Sequence, residues 1–256
     1  MEPDDRKVGP LDPLDARRRG ILGDAAISRN RKLTPSRYRE GYYVPGRSRR
    51  RIMCGRYDLS ENAAAIMARF HVLKVFDTNE FAPNRDVRPT DRAPIVRLAK
   101  GSDERELALA RWGLVPSWAK DLKSGASRIN ARAETVATQR AFRAAYNARR
   151  CLVPVSAFYE WSGPKGKRQR WRVSLRDEAL FALAGLWEWW KDATTGDWIQ
   201  TYTVITTDAN EAIRPLHDRM PVILERSDEG RWLDTNGDAT ALLAPYARNA
   251  MLLEPR

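Results

Sequence analysis

Short apolar runs bounded by turn-forming residues dominate the chain from Cys54 onward. Strand character is clear in "APIVRLA" (93–99), "RELALARWGLV" (105–115) and "CLVPVSAFYEW" (151–161), the last interpreted as one buried strand interrupted by Pro154. The later runs "RWRVSL", "LFALAGLWE", "WIQTYTVITT" and "MPVILE" continue this pattern. Because strands outnumber helices and hairpin-like links join them, the pattern predicts an α+β fold with a mostly antiparallel sheet.

Helical periodicity is confined to a few segments. In "LSENAAAIMARFHV" the side chains of Ala63, Ile66, Met67 and Phe70 share one face, and Ser60 is the predicted N-cap. The segment "ETVATQRAFRAAYNARR" (134–150) is the clearest predicted helix. Shorter helices are expected near 208–213 and 227–233.

Residues 1–52 lack any period. Pro, Gly and Arg are scattered through this prefix, which is therefore expected to be disordered, and residues 53–256 are expected to form the folded domain. The prefix holds 14 Lys+Arg and 7 Asp+Glu, a net charge of +7, whereas the remaining 204 residues hold 31 and 26, a net charge of +5. The folded part is thus mildly basic, which is compatible with a nucleic-acid groove and equally with a solvated arginine-rich surface.

Composition excludes several classes of protein. No apolar run approaches the roughly 18 residues that a membrane-spanning helix needs, and the N-terminus lacks the apolar region of a secretory signal. Two cysteines do not make a disulfide framework, and two cysteines with two histidines argue against a zinc site. We expect a cytoplasmic protein without metal or other cofactor.

Four polar residues stand where the apolar pattern expects packing: Cys54, Asn130, Glu160 and His217. Each has a purely structural interpretation: a small buried thiol, a turn cap, a strand-end carboxylate paired with an arginine, and a satisfied core histidine. A carboxylate between Tyr159 and Trp161 is also a candidate for a raised pKa. A thiol, an amide, a carboxylate and an imidazole are what a nucleophile, a polarising group, an acid/base and a proton donor require. His71, at the end of the first predicted helix, is taken as structural.

Seven motifs occur in the order in which they are found in the SRAP family, the SOS response-associated peptidase or abasic-site processing proteins. The resemblance is carried by "MCGRYDL", "RWGLVPSWAKD", "INARAET", "CLVPVSAFYEW", "LFALAGLWE", "YTVITTDAN" and "LHDRMPVIL". It implies a barrel-like β-sheet core with peripheral helices.

The resemblance also implies a reaction. Members of the family bond covalently to abasic sites in single-stranded DNA, through a cysteine made N-terminal by loss of the initiator Met. By match that residue is Cys54, with Asn130 polarising the site, Glu160 shuttling protons and His217 protonating the sugar ring oxygen. An α-amine with a pKa near 8 is substantially neutral at physiological pH, so a terminal cysteine offers both an amine and a thiol as nucleophiles.

The resemblance also implies which residues contact DNA. Arg56, Arg132 and Arg219 are expected to hold flanking phosphates, and Trp112 and Trp118 to stack on bases or form the groove wall. The expected partner is single-stranded DNA containing abasic sites, bound by a monomer that associates with the nucleoid when on DNA. Lyase-like activity and peptidase-like N-terminal processing are the enzymatic activities expected.

Three features depart from the family. If translation begins at Met1, the amine of Cys54 lies in a peptide bond. The alternatives are that Met53 is the true initiator, that residues 1–52 are a propeptide removed by self-cleavage, or, least favoured, that they are a retained basic arm. The family usually continues past "LLAPY", so the ending "ARNAMLLEPR" predicts a missing last strand or groove edge. Asp86 stands where the family commonly has Asn, which is unexpected beside a phosphate.

Two other functions stay open at this stage. A thiol autopeptidase would use Cys54 with Glu160 or His217 to cleave only its own N-terminus. A non-enzymatic protein would bind single strands without forming an adduct. All three hypotheses are compatible with the mildly basic folded domain. They are distinguished by mixing the protein with abasic DNA and looking for a covalent adduct on a denaturing gel.

Overall fold

Strands make up most of the regular structure. The computed structural model describes residues 55–76, 81–164, 166–246 and 250–256. Its strands are β1 Tyr57–Leu59, β2 Val72–Val75, β3 Asn84–Val87, β4 Arg92–Leu98, β5 Arg105–Trp112, β6 Asn130–Arg132, β7 Arg150–Val155, β8 Ala157–Ser162, β9 Gln169–Leu175, β10 Phe181–Lys191, β11 Trp198–Asp208, β12 Arg219–Pro221, β13 Ile223–Leu224 and β14 Met251–Pro255. The α-helices are α1 Ala63–Arg69, α2 Arg143–Ala148 and α3 Glu229–Leu233, and short 3-10 helices lie at Leu122–Ser127, Arg226–Asp228 and Thr240–Leu242.

Five strands close into a barrel. The order β11-β10-β7-β4-β5 is antiparallel at each step, and a parallel pairing of β5 with β11, through Arg111–Thr201 and Trp112–Tyr202, closes the ring. β2 extends this sheet beside β5, while β12, β13 and β6 attach to β10 and β11. Closure removes the free edges that an open sheet would present.

The barrel interior is densely packed. Gly185 of β10 lies opposite Cys151 of β7, and a Cβ atom at Gly185 would come within 2.7 Å of Val153 Cγ2 and 2.9 Å of Cys151 Sγ. Only glycine lets the two strands approach this closely. Outside the barrel, α3 packs on β7, and the indole N–H of Trp232 donates to the carbonyl of Cys151 at 2.9 Å.

A second sheet, of five strands, lies beside the barrel in the order β14-β9-β8-β1-β3. Its central strands, β8 and β1, are antiparallel, and the hydroxyl of Tyr57 in β1 lies 2.6 Å from that of Tyr202 in β11. Both rings are buried, so this contact ties the second sheet to the barrel. The ending "MLLEP" forms β14, paired along its length with β9.

The helical predictions required several corrections. Asn62, not Ser60, caps α1, since its side chain accepts from the N–H of Ala65, whereas Ser60 bonds to Asp58. The long helix predicted over 134–150 is wrong: a run of turns precedes the six-residue α2. The predicted helix near 208–213 is also a series of turns, while α3 confirms the helix near 227–233.

The predicted single strand over 151–161 is two strands, β7 and β8, which separate at Ser156 and join different sheets. Pro154 lies inside β7, opposite Ala182, without ending the strand. The fold class is confirmed: α+β, mostly antiparallel, with a barrel core and peripheral helices. In the part of the chain that the structure describes, no helix is long and apolar enough to cross a membrane.

Candidate functional site

The start of the described chain lies against the strand that carries Glu160. Tyr57 pairs with Phe158 and Asp58 with Ala157, and the N–H of Tyr159 donates to the carbonyl of Arg56 at 3.0 Å. The same antiparallel register, carried back two residues, sets Gly55 opposite Glu160. Cys54 itself lies outside the described residues, one peptide bond before Gly55.

Glu160 is a buried carboxylate, with 2% of its surface exposed. It occupies the fourth position of β8 and lies across from Trp171 of β9. Its backbone therefore lies inside a sheet, in the strand between β9 and β1, and not on a loop. A carboxyl group in such a position is a candidate for proton exchange with a bound reactant.

Two of the predicted site motifs meet on β11. Asn130 and Arg132 of β6 run parallel to it, opposite Val204 and Thr206, while β12 pairs with its other edge, setting Arg219 opposite Asp208. Asn130 is half-buried and Arg132 is exposed. The stretches "INARAET" and "LHDRMP", more than eighty residues apart in sequence, thus lie side by side at one end of β11.

The imidazole of His217 is oriented through its Nδ1 atom. Nδ1 accepts a hydrogen bond from the backbone N–H of Arg219 at 3.0 Å, and a carboxylate oxygen of Asp218 lies 2.8 Å from the same atom. With Nδ1 accepting, a neutral ring carries its proton on Nε2. Protonation of Nδ1 exchanges the backbone donor for the Asp218 acceptor, so both charge states of the ring have a partner at this atom.

Arg219 is held by carboxylates. It makes a two-point ion pair with Glu134 and a further contact of 2.8 Å to Asp208, and it also donates to the carbonyl of Thr206 at 2.6 Å. Burial acts to raise the pKa of Glu134, but the hydrogen bond and charge of Arg219, with the charge of Arg132, hold that pKa below its ordinary value. A phosphate that binds Arg219 therefore meets two carboxylates already in place.

Arg56 is paired with Asp86, the residue whose charge departs from the family pattern. Its guanidinium lies 3.0 Å from the carboxylate, and the same carboxylate contacts Arg88 and Arg170. Asp86 is therefore neutralised by arginines and does not face the surface as an isolated negative charge. The sequence did not single out Arg88 or Arg170.

The two predicted tryptophans differ sharply in exposure. Trp112 is 1% exposed, packs against Tyr57 and Tyr202, and donates its indole N–H to the carbonyl of Ile129 at 2.9 Å. A buried indole offers no face to a base, so the expectation that Trp112 stacks on DNA is corrected: it is a core side chain. Trp118 is 49% exposed, and the guanidinium of Arg140 lies 4.5 Å from its ring centroid.

The second cysteine is a packing residue. Cys151 is fully buried in β7, and burial raises the pKa of its thiol far above the ordinary value. A thiol in this state is not a nucleophile at neutral pH. Among the described residues, no group of three or more His, Cys, Asp or Glu side chains is placed to hold a metal ion.

The sequence model of the SOS response associated peptidase (SRAP) family matches residues 53–255. The chain belongs to this family. The SRAP match begins at Met53 and ends at Pro255, the last residue of β14, so it covers both the barrel and the five-stranded sheet.

Individual SRAP proteins and solved structures are similar to this chain. Abasic site processing protein YoaM of Bacillus subtilis (strain 168) is 38% identical over 204 residues, covering 78% of this chain and 88% of that protein. Abasic site processing protein HMCES of Xenopus tropicalis is 28% identical over 201 residues, covering 66% and 60%. Crystal structures of proteins from Bacteroides thetaiotaomicron and Bordetella bronchiseptica superpose with TM-scores of 0.72 and 0.68, at 26% and 28% identity, covering 79% of this chain and 91% and 99% of theirs.

Proposed function

We propose that this protein binds abasic sites in single-stranded DNA and forms a covalent thiazolidine crosslink through Cys54, acting as the N-terminal residue. The observation that carries the proposal is the antiparallel β1–β8 register, continued by the hydrogen bond from Tyr159 N–H to the Arg56 carbonyl, along which the chain before Tyr57 runs toward the buried Glu160. The residue before Gly55 is the family's reactive cysteine by motif. Relatives named abasic site processing proteins, such as YoaM, support the same reaction class.

The chemistry balances without an external reagent. The α-amine of Cys54 attacks the aldehyde carbon of the open abasic sugar, and water leaves to give an imine. The thiol then adds to the imine carbon while its proton passes to the nitrogen, which closes a five-membered ring. Only an N-terminal cysteine carries an amine and a thiol on adjacent carbons, so the amine must be released from the peptide bond to Met53.

The side chains around this step divide the proton transfers. Glu160 takes and returns protons during condensation and ring closure, as a carboxyl group removed from bulk water can. His217 acts as the imidazolium, with Nδ1–H bonded to Asp218: it donates its Nε2 proton to the sugar ring oxygen, which favours the open aldehyde and leaves a neutral imidazole. Asn130, beside β11, orients the reacting sugar.

Contacts to DNA phosphates and bases supply the remaining binding free energy. Arg56, Arg132 and Arg219 each hold a phosphate, and exposed Trp118 offers a stacking face. Replacement of any one of the three arginines by Gln is expected to lower the salt slope of single-strand binding by about 0.7. Single strands are preferred because they expose base faces and need no base flipping.

The test compares two forms of the protein. A chain that begins at Cys54 after Met removal is mixed with an oligonucleotide containing one abasic site and run on a denaturing gel, beside the chain that begins at Met1. A heat-stable adduct, with the summed mass less one water, is expected for the first form. Cys54→Ser should leave only an imine, which persists on the gel only after reduction, because a hydroxyl is a much poorer nucleophile than a thiolate.

Other outcomes point to other functions. Binding without an adduct in the form that begins at Cys54 would leave a non-covalent single-strand binder. Loss of residues 1–53 from the longer form, measured by intact mass and prevented by Cys54→Ser, with no DNA adduct, would instead identify an autopeptidase. An adduct that forms equally well with Cys54→Ser and no reductant would overturn the proposal.

A further inference from the structure

Three arginines, one within a strand and two directly beside strand ends, converge on one carboxylate at the surface of the five-stranded sheet. Asp86 of β3 lies 3.0 Å from Arg56, 2.7 Å from Arg88 and 3.1 Å from Arg170. Arg56 directly precedes β1, Arg88 directly follows β3, and Arg170 belongs to β9. The cluster formed by these four residues is called the Asp86 cluster below.

Aromatic rings form one wall of the Asp86 cluster. The guanidinium of Arg170 lies 3.7 Å from the ring centroid of Tyr159, a stacking distance, and the guanidinium groups of Arg56 and Arg170 both lie 5.9 Å from the ring of Trp161. The hydroxyl of Tyr159 donates to the carbonyl of Arg85 at 3.0 Å, which ties β8 to β3 beneath the cluster. Stacking restricts the rotamers of an arginine, so less entropy is lost when it binds an anion.

The charge of the Asp86 cluster is unbalanced. Burial acts to raise the pKa of Asp86, but the hydrogen bond from Arg88 and the charges of Arg56, Arg88 and Arg170 hold it below its ordinary value, so the carboxylate is ionised at neutral pH. One carboxylate against three guanidinium groups leaves two positive charges, and the charge of Asp91, which accepts from the backbone N–H of Arg88 at 2.9 Å, offsets part of this excess. Among residues that the structure describes, no carboxylate other than Asp86 makes an ion pair with any of the three guanidinium groups.

Hydrogen-bond donors remain for an anion. A guanidinium carries five N–H donors. Asp86 uses Nη1 of Arg56, Nε and Nη2 of Arg88, and Nη2 of Arg170. The side chains of Arg56 and Arg88 are 35% and 59% exposed, so solvent and ligands reach the remaining donors.

We infer that Arg56, Arg88 and Arg170 form a subsite for a phosphodiester group of single-stranded DNA, with Asp86 as the positioning residue that holds the three guanidinium groups together. The inference rests on the proposed function. Guanidinium groups match the two-point geometry of phosphate oxygens, and a carboxylate between three cations reduces their mutual repulsion without cancelling their net charge.

The subsite lies next to the reacting terminus. Two peptide units separate Arg56 from Cys54, so their Cα atoms are at most about 7 Å apart. A phosphate held by the Asp86 cluster therefore belongs to the abasic nucleotide or to its immediate neighbour. Arg88 and Arg170 lie outside the seven motifs that carry the family resemblance, and together with Arg56 they accommodate the charge of Asp86 between them.

The test uses a matched control. Arg88→Gln and Arg170→Gln are compared with Arg226→Gln, because Arg226 is also 59% exposed and also pairs with a carboxylate, that of Glu178. Binding of an undamaged single strand is measured in the Cys54→Ser background, where no adduct forms, at several salt concentrations. We expect a roughly tenfold higher Kd for each of the first two variants, in line with loss of a charged hydrogen bond, and a salt slope lower by about 0.7. Arg226→Gln should stay within about twofold of the parent.

The second measurement is the rate of adduct formation with abasic DNA in protein that keeps Cys54. Arg88→Gln should raise the DNA concentration needed for half the maximal rate and leave the maximal rate unchanged, which a general loss of structure would not do. If the parent protein forms no adduct, the proposed function fails, while the binding measurement still decides the subsite. If adducts form but Arg88→Gln and Arg170→Gln bind DNA as Arg226→Gln does, the subsite is overturned and the proposed function stands.

Inorganic phosphate provides the last comparison, at matched ionic strength. Tight binding of free phosphate that Arg88→Gln abolishes, together with unchanged DNA affinity, would assign the subsite to a free anion and overturn the DNA assignment. Arg170→Gln removes a stacked side chain and can perturb folding. Arg88 makes no aromatic contact among the described residues, so the Arg88→Gln result decides the matter by itself.

Discussion

The guanidinium of Arg219 and the carboxylate of Glu134 form a two-point ion pair that joins two segments eighty-five residues apart. Asp208 contacts the same guanidinium at 2.8 Å. Arg219 is the proposed phosphate ligand nearest His217, yet its charge is shared between two carboxylates. Binding of a DNA phosphate there must compete with groups that the protein itself supplies.

Weakening this competition should strengthen DNA binding. We expect Glu134→Gln to bind undamaged single-stranded DNA more tightly and with a steeper salt dependence, because a negative charge beside Arg219 is removed while Asp208 still holds the side chain. The control is Glu104→Gln, a glutamate of similar exposure paired with Lys74. Equal salt slopes for both variants would show that Glu134 does not compete with the DNA.

Glu160 and His217 are expected to act at different steps. Glu160→Gln should slow crosslink formation and reversal but leave DNA binding intact, since it removes a buried acid and not a phosphate contact. His217→Ala should slow opening of the sugar ring. An acyclic aldehyde substrate should then restore much of the rate to His217→Ala and little to Glu160→Gln, as measured by adduct formation over time.

The assignment of these two roles depends on that difference. Equal rescue of both variants by the acyclic substrate would mean that the division of labour is wrong. If neither substitution alters the rate, Glu160 is a structural carboxylate of β8 and His217 a structural imidazole held by the Arg219 N–H.

Cys151 should be dispensable for the reaction. Its buried thiol has a raised pKa, so it forms little thiolate at neutral pH. We expect Cys151→Ala to lower the free energy of unfolding by about 1 kcal/mol and to leave the adduct yield unchanged. Urea unfolding and the denaturing gel measure the two quantities, and a folded Cys151→Ala protein without adduct would contradict the assignment of Cys54.

Trp118 should contribute base stacking. We expect Trp118→Ala to weaken single-strand binding by roughly 1–3 kcal/mol, the range found for base–aromatic stacking. The matched control is Trp198→Ala, because Trp198 is 60% exposed and also has a cation, Lys191, near its ring. A similar loss of affinity in both variants would point to a general effect of exposed aromatic rings and not to a defined stacking position.

The Asp86 cluster should also affect acid stability. A carboxyl group whose pKa is lower in the folded state contributes stability above its unfolded pKa near 4, and this contribution is lost as the pH falls through the folded pKa. Asp86→Asn should therefore be less stable than the parent at pH 7, and the difference should shrink at pH 3. Urea unfolding at both pH values tests this, with Asp103→Asn, on the turn between β4 and β5, as the control.

Much of the fold was predictable because buried strands such as β7 and β10 appear in the sequence as short apolar runs bounded by turn-forming residues. The segment 134–142 shows where this fails. Its backbone N–H groups bond to carbonyls either four residues back, as Gln139 does to Thr135, or three residues back, as Phe142 does to Gln139. A series of such turns places apolar residues at almost the same intervals as a helix does, so the sequence pattern does not distinguish the two. The hydroxyl of Thr138 bonds to the carbonyl of Thr135, a local contact that competes with helix formation.

The site residues that belong to sequence motifs could be predicted, whereas those defined only by tertiary contacts could not. That β6 with Asn130 and β12 with Arg219 pair with the two edges of β11 could be expected only through the family resemblance. Burial of Trp112 depends on Tyr57 and Tyr202, from distant strands, so the sequence around Trp112 does not reveal it. The contact of Arg170 with Asp86 spans 84 residues and leaves no local signal in the sequence.

The five-stranded sheet joins the first described strand to the last. β1 lies beside β8, β8 beside β9, and β9 beside β14, so the sheet that carries Glu160 and Arg170 contains residues 57 and 255. Contacts of such long sequence separation form late and slowly. During synthesis the barrel strands leave the ribosome before residue 251 does, so the sheet that carries Glu160 gains its edge strand only when translation of this segment is finished. The barrel can therefore fold on a partly made chain, and the five-stranded sheet is completed only afterwards, when β14 pairs with β9.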